Sequence, residues 1–133
     1  MENNKTPTIL IVEDDPVMRR TLADNLISEG FKILQAKNGA EGLMIALERQ
    51  PDLILLDILM PRMDGLTMMQ KLRAKNAYGK KTPVILLTNL SPDEDKIMKR
   101  ITENEPAYYL VKTDWKISEV IEKIKERLSR PEV

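Results

Sequence analysis

Five short aliphatic runs, spread along the whole chain, limit this sequence to one kind of architecture. They are Thr8–Val12 (TILIV), Phe31–Ala36 (FKILQA), Leu53–Asp57 (LILLD), Val84–Thr88 (VILLT) and Tyr108–Lys112 (YYLVK). Each has the length of a strand, and the middle ones are nearly continuous in aliphatic residues, as strands buried on both faces are. Between them the apolar period lengthens to that of a helix. Asp15-Pro16 reads as an N-cap followed by proline at the first helical position, with Met18, Leu22 and Leu26 on one face and Gly30 as the stop. Asn38 with Glu41 has capping-box spacing before Leu43, Ala46 and Leu47, and Pro51 closes that segment. Asp64 caps a third helix carrying Leu66, Met69 and Leu72; Ser91-Pro92 with Glu94 opens a fourth before Ile97 and Ile101. Ser118 opens the last, whose Val120, Ile121, Ile124 and Leu128 face one way. Strand and helix therefore alternate five times, which predicts a doubly wound α/β domain: a parallel sheet with helices on both faces.

Composition narrows the chemistry. At 133 residues the chain fits one domain with a real core. Only 4% of residues are aromatic, so that core is aliphatic, with eight methionines as filler. Lys+Arg and Asp+Glu both total 21, leaving no net charge to indicate a nucleic-acid or membrane-surface partner. The apolar runs are far too short to span a membrane, and the polar start MENNKTPT is no signal peptide. Absence of cysteine excludes disulfides and is compatible with a reducing compartment. Absence of histidine removes the commonest general base and metal ligand, and means the chain cannot carry a phosphohistidine. The tails MENNKTP and SRPEV read as frayed ends, which puts the domain at 8–128, between a flexible 1–7 and a short tail at 129–133.

In open parallel sheets ligands bind outside the carboxyl ends of the strands. The first strand ends in Glu13-Asp14-Asp15, the third in Asp57, the fourth in Thr88 and the fifth in Lys112. Crowded carboxylates repel, and a divalent hard cation relieves that repulsion; all-oxygen ligands favour Mg²⁺, Mn²⁺ or Ca²⁺ over zinc. A metal, a lysine and a hydroxyl around one carboxylate suit a phosphoryl group, with Asp57 as nucleophile forming an acyl phosphate. Asp15 and Asp64 read as helix caps, and Trp115 as a half-buried ring.

Taken together, ILIVEDDPVMRR, LILLDILMPRMDG, VILLT and YYLVK, with the joints of SEGFKILQAKNGAEGL, resemble the receiver domains of bacterial two-component response regulators, of the chemotaxis-regulator type. The resemblance covers about residues 8 to 128. It implies a flavodoxin-like (βα)5 fold with strand order 2-1-3-4-5. It also implies a phosphorylatable switch rather than an enzyme, one that catalyses only its own phosphoryl transfer and hydrolysis. By the resemblance Asp57 is the phospho-acceptor; Mg²⁺, or Mn²⁺ in its place, is held by Asp14 and Asp57 directly, by Glu13 through water and by the backbone carbonyl of Leu59. Thr88 corresponds to the switch hydroxyl, Tyr109 to the aromatic that turns inward with it, and Lys112 to the lysine that contacts the phosphoryl group. The implied partners are a histidine kinase or phosphotransfer protein and a downstream protein not named by the sequence, with no direct nucleic-acid or membrane contact and a cytoplasmic setting. The implied output face combines the helix after Ser91, the fifth strand and the last helix. No DNA-binding or enzymatic segment follows residue 128, so the expectation is a stand-alone receiver, unless the chain is a fragment of a longer one.

Four departures from the family pattern bear on the switch. Thr113 stands where a cis-proline is usual, Asn89 where a small residue is usual, and Glu105-Pro106 where glycine-alanine is usual; the interval from Thr88 to Lys112 is also about two residues longer than is typical for the family. Leu59 and Leu90 occupy the two positions that flank the attacking water in the family, and neither orients water, so a long-lived phosphoryl-aspartate is expected. Three other readings compete. An Mg²⁺-dependent phosphohydrolase or nuclease commonly uses a D-x-D pair, whereas Ile58-Leu59 follows Asp57. A flavin-binding module needs a phosphate loop after the first strand, and Glu13-Asp14-Asp15 repels phosphate. A degenerate receiver that binds a partner without phosphorylation draws support from Thr113 and Asn89.

Overall fold

The computed structural model describes residues 6–58, 60–88, 99, 103, 108–111 and 116–129. In chain order the elements are β1 (Thr8–Val12), α1 (Pro16–Ser28), β2 (Lys32–Ala36), α2 (Gly39–Arg49), β3 (Leu53–Asp57), α3 (Gly65–Lys75), a short α4 (Ala77–Lys81), β4 (Val84–Thr88), β5 (Tyr108–Val111) and α5 (Ile117–Ser129). The five strands form one parallel sheet in the order β2-β1-β3-β4-β5. The doubly wound fold and its strand order are therefore those expected. Of the helix expected after Ser91, only Lys99 and Glu103 are described, both helical; the rest of that stretch lies outside the described residues.

Period-two alternation along the strands sorts the aliphatic residues into two cores. Leu10, Val12, Ile54, Leu56, Val84 and Leu86 point to one side and pack with Ala46 of α2 and Leu66, Met68, Met69 and Leu72 of α3. Ile9, Ile11, Leu53, Leu55, Ile85 and Leu87 point to the other and meet Leu22, Ala23 and Leu26 of α1 and Val120 and Ile124 of α5. Full burial of each such side chain is worth about 1.5–3 kcal/mol, so both layers are needed to hold the sheet. β2, at the sheet edge, is less buried than β1 and β3, and the exposed Lys32 and Gln35 guard it against further pairing.

The helix starts follow their caps. The Asp15 carboxylate accepts from the Val17 amide at 3.0 Å, Asn38 from Glu41 at 2.8 Å, and Asp64 from Thr67 at 2.7 Å. Glu41 returns a bond to the Lys37 amide at 2.9 Å, one residue before the cap, instead of to the cap itself. Gly30 has φ +98°, a left-handed conformation that glycine adopts without steric cost. The last helix begins one residue earlier than the serine signal suggests, at Ile117, because the Lys116 carbonyl accepts from Glu119 at 2.9 Å and Val120 at 3.2 Å.

The short α4 was not expected. It stands on long-range bonds: Arg73 donates to the carbonyls of Gly79 at 2.9 Å and Thr82 at 2.6 Å, and the Tyr78 hydroxyl donates to Pro51 at 2.7 Å. Burial pushes the Tyr78 phenol above its ordinary value of 10.0, and the Asp52 charge acts in the same sense; a hydrogen bond with Thr82 and the Arg73 charge oppose it. The unfolded phenol therefore ionises before the folded one. Its contribution is fully present below about pH 10 and is lost as pH rises through the folded value. Tyr78→Phe is expected to cost about 1 kcal/mol at neutral pH and to remove this part of the alkaline decline. Denaturant unfolding of both proteins at neutral pH and above pH 10 checks it.

Candidate functional site

The chain reverses its direction of winding at β1. From β1 it runs outward to β2, then returns to place β3 on the other side of β1. In an open parallel sheet the ligand crevice lies beyond the carboxyl ends of the strands that flank this point, here β1 and β3, and both strands deliver acids to that edge. β1 runs directly into Glu13-Asp14, and β3 ends on Asp57, with Val12 in register with Leu56. Carboxylate oxygens of Glu13, Asp14 and Asp57 all lie within 4.8 Å of one another. Glu13 and Asp57 are buried, at 1% and 5% exposure, and Asp14 is open to solvent.

Local structure holds this arrangement. The Glu13 amide donates to the Ala36 carbonyl at 3.1 Å, tying the β1 exit to β2. The Glu13 carboxylate accepts from the Asp15 amide at 3.2 Å, curling the acidic loop back on itself. From α1, the Arg19 guanidinium donates to the Glu13 carbonyl at 2.9 Å. This anchor was missed from sequence; its only signal is an arginine placed to lie over the loop after one helical turn. Behind Asp57, the Gly65 amide donates to the Ile58 carbonyl at 2.9 Å, closing a loop that contains Arg62 at φ 70°. A Cβ on Gly65 would collide with the backbone carbonyl of Asp57, and one on Gly39 would come within 2.6 Å of the Met63 carbonyl.

Of the other residues singled out from sequence, Thr88 is the last position of β4, one beyond Leu87, which is in register with Asp57. Tyr109 lies in β5 in register with Leu86. Leu59, Asn89, Leu90, Lys112, Thr113 and Trp115 lie outside the described residues. Asp15 and Asp64 cap helices and stand outside the carboxylate cluster.

Buried carboxylates are costly unless paired, hydrogen-bonded or bound to a metal. The donor set here is all oxygen, drawn from three acids, two sheltered and one facing water. It fits a hard divalent cation and, lacking nitrogen and sulfur, does not resemble a zinc site. Among the described residues no helix is long and apolar enough to cross a membrane.

A family model described as response regulator receiver domain matches residues 9–125. The chain is 41% identical over 91 residues to the DNA-binding dual master transcriptional regulator RpaA of Synechocystis sp., a match covering 68% of this chain and 37% of that protein. It is 38% identical over 92 residues to the transcriptional activator protein PfeR of Pseudomonas aeruginosa, covering 69% and 29%. The chain thus spans about a third of the length of these curated relatives. Among solved structures, the receiver domain of a Pseudomonas aeruginosa sensor histidine kinase, with a magnesium ion coordinated in its active-site cleft, aligns with a TM-score of 0.83 at 25% identity, covering 95% of this chain and 100% of that one. A CheY-like response regulator receiver domain protein from Methanospirillum hungatei aligns equally well, at 0.83 and 26% identity over 93% of this chain and 94% of that one.

Proposed function

The chain belongs to the response regulator receiver family, and on that premise we propose that Asp57 accepts a phosphoryl group from a histidine kinase or phosphotransfer protein. The observation that carries this reading is the convergence of Glu13, Asp14 and Asp57 within 4.8 Å at the carboxyl edge of the sheet. An Asp57 carboxylate oxygen attacks phosphorus, so an O–P bond forms while the donor's N–P bond breaks. The electron pair leaves with the donor imidazole, which takes up a proton.

Asp14 and Asp57 would hold Mg²⁺, or Mn²⁺ in its place, with Glu13 acting through water and the Leu59 carbonyl completing the protein's share. When bound, the ion offsets the charge on the phosphoryl oxygens. Thr88 then donates its hydroxyl to the phosphoryl group and Lys112 its ammonium. Tyr109 follows Thr88, and the face formed by the helix after Ser91, β5 and α5 changes its partner affinity. This is a population shift biased by local charge, not turnover of a substrate. The proposal extends to a stand-alone mode of action over residues 8–128 in the cytoplasm, the signal leaving by contact with another protein and not with DNA. The neutral charge balance supports that reading; the Synechocystis relative, by contrast, is a DNA-binding regulator.

Intact mass after incubation with a small phosphodonor tests the proposal. Addition of one phosphoryl group, dependent on Mg²⁺ and abolished by a chelator, is the expected result. No addition, together with no Mg²⁺-dependent binding of a beryllofluoride mimic, would hand the reading to a degenerate receiver. With Leu59 and Leu90 unable to orient water, the phosphoryl group is expected to persist well beyond seconds in the absence of a phosphatase. A time course of the same mass shift checks it, and loss within seconds would sink that expectation.

A further inference from the structure

On the side of the domain formed by α2 and α3, charge is sharply segregated. From Gly65 to Pro92 the sequence has no Asp or Glu and carries Lys71, Arg73, Lys75, Lys80 and Lys81, in a chain whose charges otherwise balance at 21 and 21. The four lysines are exposed, and among the described residues none of them is in an ion pair. Two of them, Lys71 and Lys75, rim a groove of about 330 Å³ whose remaining lining is Leu43, Leu47 and Ala74.

The groove has a helical metric. Leu43 and Leu47 are one turn apart on α2, and Lys71 and Lys75 are one turn apart on α3, so both pairs repeat at about 6 Å. Next to Leu43 on α2, Met44 lies outside the lining and is 57% exposed, an apolar side chain open to solvent. On α2, Glu41 accepts from the Lys37 amide, and Glu48 and Arg49 contribute one charge of each sign. The net character is an apolar trough with a cationic rim along α3.

We infer that this trough docks an acidic amphipathic helix of a partner protein, its apolar residues in the Leu43–Leu47 floor and its carboxylates against Lys71 and Lys75. The recognition mode is that of a helix in a groove, read at i and i+4. Charge complementarity selects the acidic partner, and the unpaired lysines give up no existing ion pair to bind it. Nucleic acid suits the site poorly. Phosphates would satisfy the lysines but leave Leu43, Met44 and Leu47 uncovered, and the lining offers no aromatic ring for a base to stack on.

The probe is a synthetic helical peptide with leucines on one face and glutamates on the other, followed by fluorescence anisotropy against the whole chain. Its scrambled isomer has the same composition and no apolar face. Wild type is expected to bind the amphipathic peptide and not the isomer. Lys71→Glu with Lys75→Glu is expected to weaken binding by about tenfold, and Lys80→Glu with Lys81→Glu, an equal charge change outside the groove, to leave it within about twofold. Melting curves show that both double variants are folded. Failure of wild type to bind, equal binding of the isomer, or equal weakening by the two double variants would each overturn the inference. So would tighter binding of anionic vesicles or duplex DNA that displaces the peptide. The readout is independent of Asp57 chemistry, so it stands or falls apart from phosphorylation.

Discussion

Asp57→Asn is expected to take up no phosphoryl group under conditions that modify the wild type fully. The amide is nearly the same shape as the carboxylate, so a side chain only 5% exposed at the end of β3 keeps its packing. What changes is charge and nucleophilicity. The neutral amide oxygen is a poor attacking group, and one of the three acids whose oxygens lie within 4.8 Å is lost. A bound ion at about 100 times its dissociation constant stabilises a protein by about 2.7 kcal/mol. A tenfold weaker site in the variant would give up about 1.4 kcal/mol of that. Thermal unfolding across a Mg²⁺ titration, with intact mass on the same samples, measures both effects. Phosphorylation of the asparagine variant would place the acceptor on another residue, and an unchanged response to Mg²⁺ would remove Asp57 from the metal site.

The second large effect involves no charged group. Gly65→Ala is expected to destabilise the domain by about 3 kcal/mol, the upper end of what overpacking costs. The added Cβ would strike the Asp57 carbonyl, with the Ile58 backbone beside it. Backbone on both sides cannot swing away as the end of a side chain can, so relief requires moving β3 or the start of α3. Moving β3 shifts Asp57 against Glu13 and Asp14; moving α3 disturbs the cap in which Asp64 accepts from Thr67. The variant is therefore expected to lose Mg²⁺-dependent stabilisation out of proportion to its lost stability. Equilibrium denaturation, repeated at saturating Mg²⁺, separates the two. A cost below about 1 kcal/mol would mean that the loop behind the acceptor yields easily.

Local signals carried the architecture well. Asp15, Asn38 and Asp64 announce helix starts by residue type and spacing alone, and the alternation of aliphatic runs with helical stripes gives a parallel sheet. The carboxylate cluster was legible because topology converts strand ends into neighbours: Asp14 and Asp57 lie 43 positions apart in the sequence but share one edge of the sheet. Features that depend on distant partners were not legible. α4 is capped locally by Asn76, which accepts from the Gly79 amide at 2.7 Å, but its five residues AYGKK read as a turn, and its further support comes from Arg73, Pro51 and Thr82. Arg19 looks like one more solvated charge on α1 until the loop curls under it to offer the Glu13 carbonyl. Gly65 reads as a residue beside a cap, whereas its steric role appears only once the Asp57 backbone lies against it. Glu41 shows the same limit in small: the spacing was right, and the amide it reaches belongs to the preceding residue.

The division of the core between the two faces of the sheet also sets a schedule for synthesis. Among the described residues one layer draws its helices from α2 and α3, both of which are made before β4. The opposite layer joins the first helix to the last, with Leu22 and Leu26 waiting for Val120 and Ile124. At about 5–20 residues per second, the 41 residues from Thr88 to Ser129 take about 2–8 s to make. Throughout that interval the α1 layer lacks α5, the helix that supplies Val120 and Ile124. Leu22 and Leu26 therefore stay open to misassociation until the last thirteen-residue helix is made.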